Sequence, residues 1–266
     1  MSVQWSNFIQ NKYLQYQNMT YQYLSETVSI KKISESATEG VFEIEGLYTG
    51  YGLTIGNAIR RALLSSLPGA AITQLRIKNV NHEFSTLPGV LEDILEITLN
   101  LKRIRFQSFS DEPQVLLVKA KGESEVTAAD IKTTSDIKVI TPDVVIAHLT
   151  DKGAELDMEL TVEKGLGYSP VEARKMEKLG VGAIAIDTLF SPVLKVNYTV
   201  SDMRVGERTD FNKIRLDITT DGTISPSSAL HKAANIVKDH FDKIAAIEVS
   251  TFEIAEAEDK KTKKKK

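Results

Sequence analysis

One stretch, residues 50–70, constrains the fold more than any other part of the chain. It reads GYGLTIGNAIRRALLSSLPGA, with glycines before an apolar-periodic segment and Pro68-Gly69 after it. This punctuation predicts a turn that leads into one helix, with Thr54 as its N-cap and Pro68-Gly69 as its end. At about 100° per residue, the helix has an apolar stripe that must be buried in a core. The stripe comprises Ile55, Ala58, Ile59, Ala62 and Leu63.

The opposite side of this helix carries a second set of residues. Asn57, Arg61 and Leu64 project within roughly 60° of one another, with Arg60 at the margin. Solvated charges are one interpretation of this side. The other is a surface for a partner protein, because a leucine lies between the arginines and planar guanidinium groups suit partly desolvated contacts.

Composition excludes several classes of protein. The 266 residues are 42% hydrophobic and 26% charged, which is typical of a globular chain with one large or two modest domains. The absence of cysteine excludes disulfides, thiolate catalysis and cysteine metal sites. No apolar run approaches the roughly 20 residues of a membrane span, and residues 1–10 lack the pattern of a secretory signal. We therefore expect a soluble, non-exported chain.

The two ends of the chain differ from the rest. Residues 1–24 are rich in Gln, Asn and Tyr, which predicts a variable polar-aromatic arm. Residues 249–266 begin acidic and end with six lysines, which predicts a disordered tail. Because the net charge is −3, removing those six charges leaves −9 for residues 1–259. An acidic body of this kind does not favour a broad basic surface for DNA.

Strand patterns dominate the remainder. Residues 72–80 alternate, with Leu75 and Ile77 on the side opposite Arg76 and Lys78, which predicts a half-buried strand. The other predicted strands are residues 27–33, 40–45, 115–119, 136–140, 144–148, 155–162, 193–200 and 213–219.

Three further segments have helical or turn patterns. Residues 90–101 have helical spacing, with Glu92 and Asp93 placed to suit the helix dipole in the first turn. Residues 165–170 predict a flexible turn, and 171–179 a charged short helix or loop. Ser225 as N-cap and Pro226 at the first position predict a final helix with a wide apolar stripe.

Several sequence blocks resemble the N-terminal region of the bacterial RNA polymerase alpha subunit, in the family's order over roughly residues 41 to 247. The helix of residues 50–70 is the first block, and the second is His82-Glu83-Phe84-Ser85-Thr86 with Gly89-Val90 after it. The others are Glu92-Asp93-Ile94-Leu95-Glu96, Leu99-Asn100-Leu101-Lys102, Val126-Thr127-Ala128-Ala129-Asp130-Ile131, Ser191-Pro192-Val193 and Asp221-Gly222-Thr223-Ile224-Ser225-Pro226.

The resemblance implies an α+β fold in which an inserted β-rich domain interrupts a dimerising helix-and-sheet domain. The expected boundaries are 25–68 plus 193–248 for the dimerisation domain and 69–192 for the insert. The implied function is a homodimer that scaffolds assembly of the beta and beta-prime subunits, in the bacterial cytoplasm or the plastid stroma. The C-terminal DNA-binding domain of many family members is not expected here.

The resemblance also assigns residues to three surfaces. The beta-facing residues are Asn57, Arg60, Arg61, Leu64, His82, Glu83, Phe84, Ser85, Thr86, Gly89, Glu92 and Asp93. The beta-prime-facing residues are Gly167, Tyr168 and Arg204, although the segment from Lys164 to Tyr168 lacks one basic residue of the family pattern. The dimer residues are Ile55, Ile59, Leu63, Leu230, Ala234, Val237, Phe241 and Ile244.

No catalytic site is expected in the chain. The four histidines, at positions 82, 148, 231 and 240, have neither metal-ligand nor triad spacing. No segment is suited to the magnesium ions of nucleotidyl transfer, so we expect no metal, no cofactor and no activity of the chain alone. The alternative function is a stand-alone dimer that binds nucleic acid weakly and non-specifically through the lysine tail.

Overall fold

The computed structural model describes residues 26–173 and 182–247. Fifteen strands and three α-helices occur in this part of the chain, and every paired strand is antiparallel. The strands form two main sheets, each with its own hydrophobic core; two α-helices pack on the first sheet and one on the second. The predicted α+β class is confirmed.

The first unit is a four-stranded sheet in the order β1–β2–β15–β14. Its strands are β1 Ser29–Glu35, β2 Glu39–Leu47, β14 Val193–Val205 and β15 Arg208–Thr220. Helices α1 (Tyr51–Ser65) and α3 (Pro226–Ala245) pack on this sheet and against each other. Alternate strand residues point toward the helices and form the first core with them. This core contains Phe42, Ala62, Leu63, Leu67, Val193, Val196, Leu216, Ile218, Ala229, Leu230 and Ala233.

The start of α1 differs from the prediction. The helix begins at Tyr51, and its N-cap is Gly50, whose φ of 85° is left-handed and which has no capping side chain. Instead, Oδ1 of Asn212 accepts hydrogen bonds from the amides of Gly50 at 2.9 Å and Gly52 at 3.3 Å. The Thr54 prediction is wrong because a buried side chain from β15 supplies the cap.

Two glycines bring α1 close to the sheet. A Cβ atom at Gly52 would lie 2.6 Å from Cγ1 of Val200, and one at Gly56 would lie 2.7 Å from the ring of Tyr198. Both distances are well inside carbon–carbon contact. Any side chain at these positions would therefore push α1 away from β14.

The second unit is a larger sheet in the order β7–β5–β10–β3–β4–β8, with β12 also paired to β3. Helix α2 (Ile94–Leu101) packs on it through Ile94, Ile97 and Leu101. The strands are β3 Pro68–Ile77, β4 Phe106–Ser108, β5 Gln114–Lys121, β7 Ile131–Lys132, β8 Ile137–Val139, β10 Glu155–Leu166 and β12 Ala183–Ala185. Two small sheets complete the unit: β6 Ser124–Thr127 with β9 Val145–Leu149, and β11 Tyr168–Ser169 with β13 Thr188–Leu189.

Several local predictions are confirmed. In β3, Leu75 and Ile77 are buried while Arg76, and Lys78 directly after the strand, are exposed, as the alternation predicts. At the start of α3, the Ser225 hydroxyl accepts from the amide of Ser228 at 3.3 Å, and Pro226 holds the first position.

Two other local predictions are wrong. Helix α2 begins at Ile94 and not at residue 90, because Asp93 caps it by accepting from the Glu96 amide at 2.7 Å. Glu92 therefore lies outside the first turn. In the predicted turn at 165–170, only Gly167 has turn geometry (φ 60°), since Leu166 ends β10 and Tyr168 begins β11.

Three predicted segments lie wholly or partly outside the described residues. They are the arm at 1–24, the tail at 249–266 and most of the charged piece at 171–179, of which the structure describes the short 3-10 helix Val171–Ala173.

The cap of α1 gives a testable prediction. Asn212→Ala removes the acceptor for two helix amides and the bond from Nδ2 to Oδ1 of Asp202 at 3.1 Å. We expect the free energy of unfolding in urea to fall by about 1–3 kcal/mol. Asn197→Ala is the control, since Asn197 is exposed on β14 and should change stability by no more than about 0.5 kcal/mol. Equal effects of the two substitutions would contradict the capping role.

Candidate functional site

The predicted beta-facing residues of α1 are of two kinds. Asn57 and Arg61 are exposed, and Arg61 forms no ion pair with the described residues. Arg60 donates from Nε to the carbonyl oxygen of Val196 at 3.3 Å, and Leu64 is half-buried against the first core. Arg61 is therefore the cation on this face that a partner can reach without breaking a contact of the chain itself.

The remaining beta-facing residues lie on a loop of the second unit. His82, Glu83, Phe84 and Thr86 are exposed, and the Ser85 hydroxyl donates to the carbonyl oxygen of His82 at 2.8 Å. The loop is tied to α2, because the Ile94 amide donates to the carbonyl oxygen of Ser85 at 3.2 Å. Farther on, the carbonyl oxygen of Gly89 accepts from the amide of Thr150 at 2.8 Å.

Glu92 anchors the end of this loop to β9. Its Oε2 accepts the main-chain amide of His148 at 2.7 Å, and its Oε1 lies 2.5 Å from Nδ1 of the same residue. Burial acts to raise the pKa of Glu92, but the hydrogen bonds from His148 outweigh it and the pKa is lowered. The pKa of His148 is raised, mainly by the hydrogen bond to Glu92 and to a smaller degree by the charge of Glu125 at 3.8 Å.

The three predicted beta-prime-facing residues are not brought together. Gly167 lies at the end of α1, where a Cβ on it would be 3.6 Å from the carbonyl oxygen of Ser65. Tyr168 follows and is 61% exposed. Arg204 is near the far end of β14, eleven residues after Val193, or about 35 Å at the usual rise per residue.

The predicted dimer residues are divided between core and surface. Leu63 and Leu230 are buried, Ile55, Ile59 and Val237 are half-buried, and Ala234, Phe241 and Ile244 are exposed. Leu63 has no exposed surface, so it supports α1 from inside and is inaccessible to a partner.

The turn before α1 is held by a cluster that the sequence pattern does not show. Arg208 pairs with both carboxylate oxygens of Asp210, at 3.0 and 2.7 Å, and its guanidinium carbon lies 4.9 Å from the ring centre of Tyr48. Asp210 also accepts from the Thr49 hydroxyl at 2.7 Å. The hydrogen bonds from Arg208 and then Thr49 hold the pKa of Asp210 well below its usual range. Residues 46–50 themselves carry no charge. The charged side chains that hold the turn, Arg208 and Asp210, come instead from β15.

The described part of the chain has neither a metal-binding cluster of side chains nor a membrane-spanning helix. No group of three or more histidine or acidic residues there is placed to hold a metal ion. Among the helices of residues 26–173 and 182–247, none is long and apolar enough to cross a membrane.

Comparisons with known proteins define the class to which this fold and these surfaces belong. Residues 75–191 match the family described as the RNA polymerase Rpb3/RpoA insert domain. The second unit, with the loop of residues 82–93, lies largely within that match.

Curated relatives identify the family more narrowly. A DNA-directed RNA polymerase subunit alpha from Symbiobacterium thermophilum is 46% identical over 228 residues, which cover 86% of this chain and 72% of the relative. The proteins of the same name from Alkaliphilus oremlandii and Moorella thermoacetica are 44% and 50% identical, and the matches cover 75% and 64% of their lengths. The chain belongs to the family of DNA-directed RNA polymerase alpha subunits.

Sequence reasoning missed the roles of His148 and Asn212. Their partners, Glu92 and the amides at the start of α1, lie 56 and about 160 positions away in the sequence. No spacing rule connects residues so far apart, and only the pairing of strands places them together.

The Glu92–His148 pair predicts a pH dependence. The raised pKa of His148 means that its contribution to stability is complete below the unfolded pKa of about 6.5 and is lost as pH rises through the folded value. Glu92→Gln should return the pKa of His148 toward its usual value, measured by NMR titration of the ring. Glu125→Gln should lower the pKa of His148 less, because the Glu125 carboxylate is more distant and has the smaller effect on that pKa. The reverse order of effects would contradict the assignment of Glu92 as the main partner.

Proposed function

We propose that this chain acts as a homodimer that binds the beta and beta-prime subunits of RNA polymerase and so assembles the enzyme. In this proposal the chain contributes no catalytic group, and its work is done by exposed surfaces in the bacterial cytoplasm. The observation that carries the proposal is the apolar end of α3.

The second half of α3 extends away from the core of its own unit. Ala229, Leu230 and Ala233 are buried, whereas every residue from 238 to 247 is exposed. Among these, Phe241, Ile244 and Ile247 are 62%, 66% and 73% exposed. Contiguous apolar surface of this kind marks an interaction site. An isologous contact would cover the same residues on two copies at once.

Contact between α1 and α3 supports a shared interface. The two helices pack against each other, and Ile55 and Ile59 on α1 are half-buried. Ile55 and Ile59 already pack against the buried residues of the sheet, so a second copy lying along both helices would cover the part of them that remains exposed. The buried residues Leu63 and Leu230 would then pack directly beneath the dimer interface.

The proposed beta-facing surface combines Arg61 on α1 with the loop of residues 82–93. Arg61 is exposed and not neutralised by the described residues, so it can pair with a carboxylate or carbonyl group of beta. For beta-prime, we propose the region of Gly167 and Tyr168, with Arg204 as a separate contact at the other end of β14.

We also propose two domains, residues 25–68 with 193–248 and residues 69–192. The separation of the cores supports this division, since the buried members of the largest cluster all fall between residues 72 and 186. The matched insert-domain family, at residues 75–191, also supports it.

Loss of the dimer is the first test. Phe241→Asp would bury a carboxylate in the proposed dimer interface. It should weaken dimer association at least about 100-fold, which is about 3 kcal/mol in binding free energy. Sedimentation velocity at micromolar concentration measures this directly. Phe241→Leu is the control, because it keeps the position apolar and should remain dimeric. A wild-type chain that sediments as a compact monomer would refute the proposal.

The role of Arg61 is the second test. Arg61→Ala should leave fold and dimer intact, since the side chain is exposed and both residues are good helix formers. A charge-assisted contact buried on assembly is expected to contribute roughly 2–5 kcal/mol, which is about 30-fold or more in affinity for purified beta. Arg215→Ala is the matched control, because Arg215 is exposed on the side of β15 away from the helices. If Arg61→Ala captures beta as well as the control does, Arg61 is only a solvated charge.

A further inference from the structure

A second exposed apolar surface lies on the insert side of the molecule. It consists of Phe84, Leu91, Leu95 and Leu99, which are 78%, 70%, 45% and 54% exposed, and we name it the apolar row. Leu95 and Leu99 lie on α2, outside the residues that the sequence pattern or the resemblance assigns to a function. The core of the second unit does not need them, because Ile94, Ile97 and Leu101 already fill the inner side of α2.

Main-chain hydrogen bonds hold the segments that carry these four residues close to the start of α2. Leu95 and Leu99 are one turn apart on the outer side of α2, at a spacing where side chains touch. The bond from the Ile94 amide to the carbonyl oxygen of Ser85 holds Phe84 at the start of this helix. The Leu91 amide donates to the carbonyl oxygen of His148 at 3.0 Å, which fixes Leu91 just before the cap of α2.

Acidic side chains without ion-pair partners among the described residues flank one end of the apolar row. Glu83 and Glu96 are exposed, and neither forms an ion pair with the described residues. At the other end, after α2, Lys102 lies 3.8 Å from Asp187 and Arg103 is exposed. A partner that buries the row would therefore gain most from cations placed next to the start of α2.

We propose that the apolar row is the centre of the beta docking surface on this unit, and that its occupant is a beta segment with leucine or phenylalanine side chains flanked by lysine or arginine. This rests on the proposed function, which already assigns the loop of residues 82–93 to beta. Buried apolar side chains at the centre of an interface carry more of the binding energy than charges at its rim. The lysine-rich end of this chain is a poor occupant, since residues 259–266 contain no apolar side chain.

The test is reconstitution of the full-length chain with purified beta. The variant Leu95→Gln/Leu99→Gln keeps good helix formers at exposed positions, so fold and dimer should be unchanged by circular dichroism and sedimentation. Each leucine removed from a buried contact should weaken beta binding about 10-fold, giving about 100-fold for both. Leu194→Gln is the matched control, since Leu194 is 50% exposed on β14 of the other unit and should bind beta like wild type.

A charge variant tests the chemistry of the partner. Glu83→Lys/Glu96→Lys should also weaken beta binding, and the remaining binding should be less sensitive to added salt. Unchanged affinity and salt dependence would overturn the assignment of basic flanking residues.

Three other outcomes are informative. If Leu95→Gln/Leu99→Gln binds beta like wild type while Arg61→Ala does not, the inference is overturned and the proposed function stands. If the wild-type dimer captures no beta at all, the proposed function fails and this inference fails with it. If the leucine variant changes the oligomeric state without beta, the row faces a second copy of the chain and the inference is wrong.

Discussion

The close contact of α1 with the first sheet is the interaction on which the other features depend. Gly52 and Gly56 let the helix backbone lie against Val200 and Tyr198, and Asn212 satisfies the amides at its start. With one side fixed in this way, the opposite side of the helix has only one orientation, and Arg61 must face outward. Helix α3 in turn packs on α1, so the direction in which its apolar end leaves the core is set by the same contact.

The sequence predicted those elements whose pattern is local. The alternation in β3, the punctuation of α3 and the exposed position of Arg61 follow from neighbouring residues alone, and the structure agrees with each. The start of α1 and the anchoring of Glu92 could not be predicted, because both depend on side chains delivered by distant strands. The short strands β4, β7 and β12 were also missed, since two or three residues are too few to show a period.

The exposed apolar surfaces show where a local pattern misleads. In α3 the wide stripe suggests either deep burial or a second contact, and only the structure shows that the last eight residues of the helix, 238–245, leave the core. In α2 the inner stripe of Ile94, Ile97 and Leu101 accounts for packing, which hides the fact that Leu95 and Leu99 are equally apolar and face outward. The described residues of the chain cover neither surface, which supports the proposal that other chains cover them.

The junction between the two units determines whether these surfaces can act together. The chain passes from α1 into β3 within two residues, and Gly69 on β3 pairs with Gly165 on β10. A Cβ at Gly69 would overlap the carbonyl oxygen of Phe190, and a Cβ at Gly165 would lie 2.5 Å from the Phe190 ring. The chain at Phe190, which leads back to the first unit, therefore fits only over this pair of glycines. Arg105 and Asp221 add an ion pair between the units at 3.9 Å, with the Asp221 side chain only 6% exposed. These contacts join the two units where the chain crosses between them, and so limit the positions that the loop of residues 82–93 can take relative to Arg61. The proposed beta-facing surface spans both units, so this preorganisation lowers the entropy lost on binding.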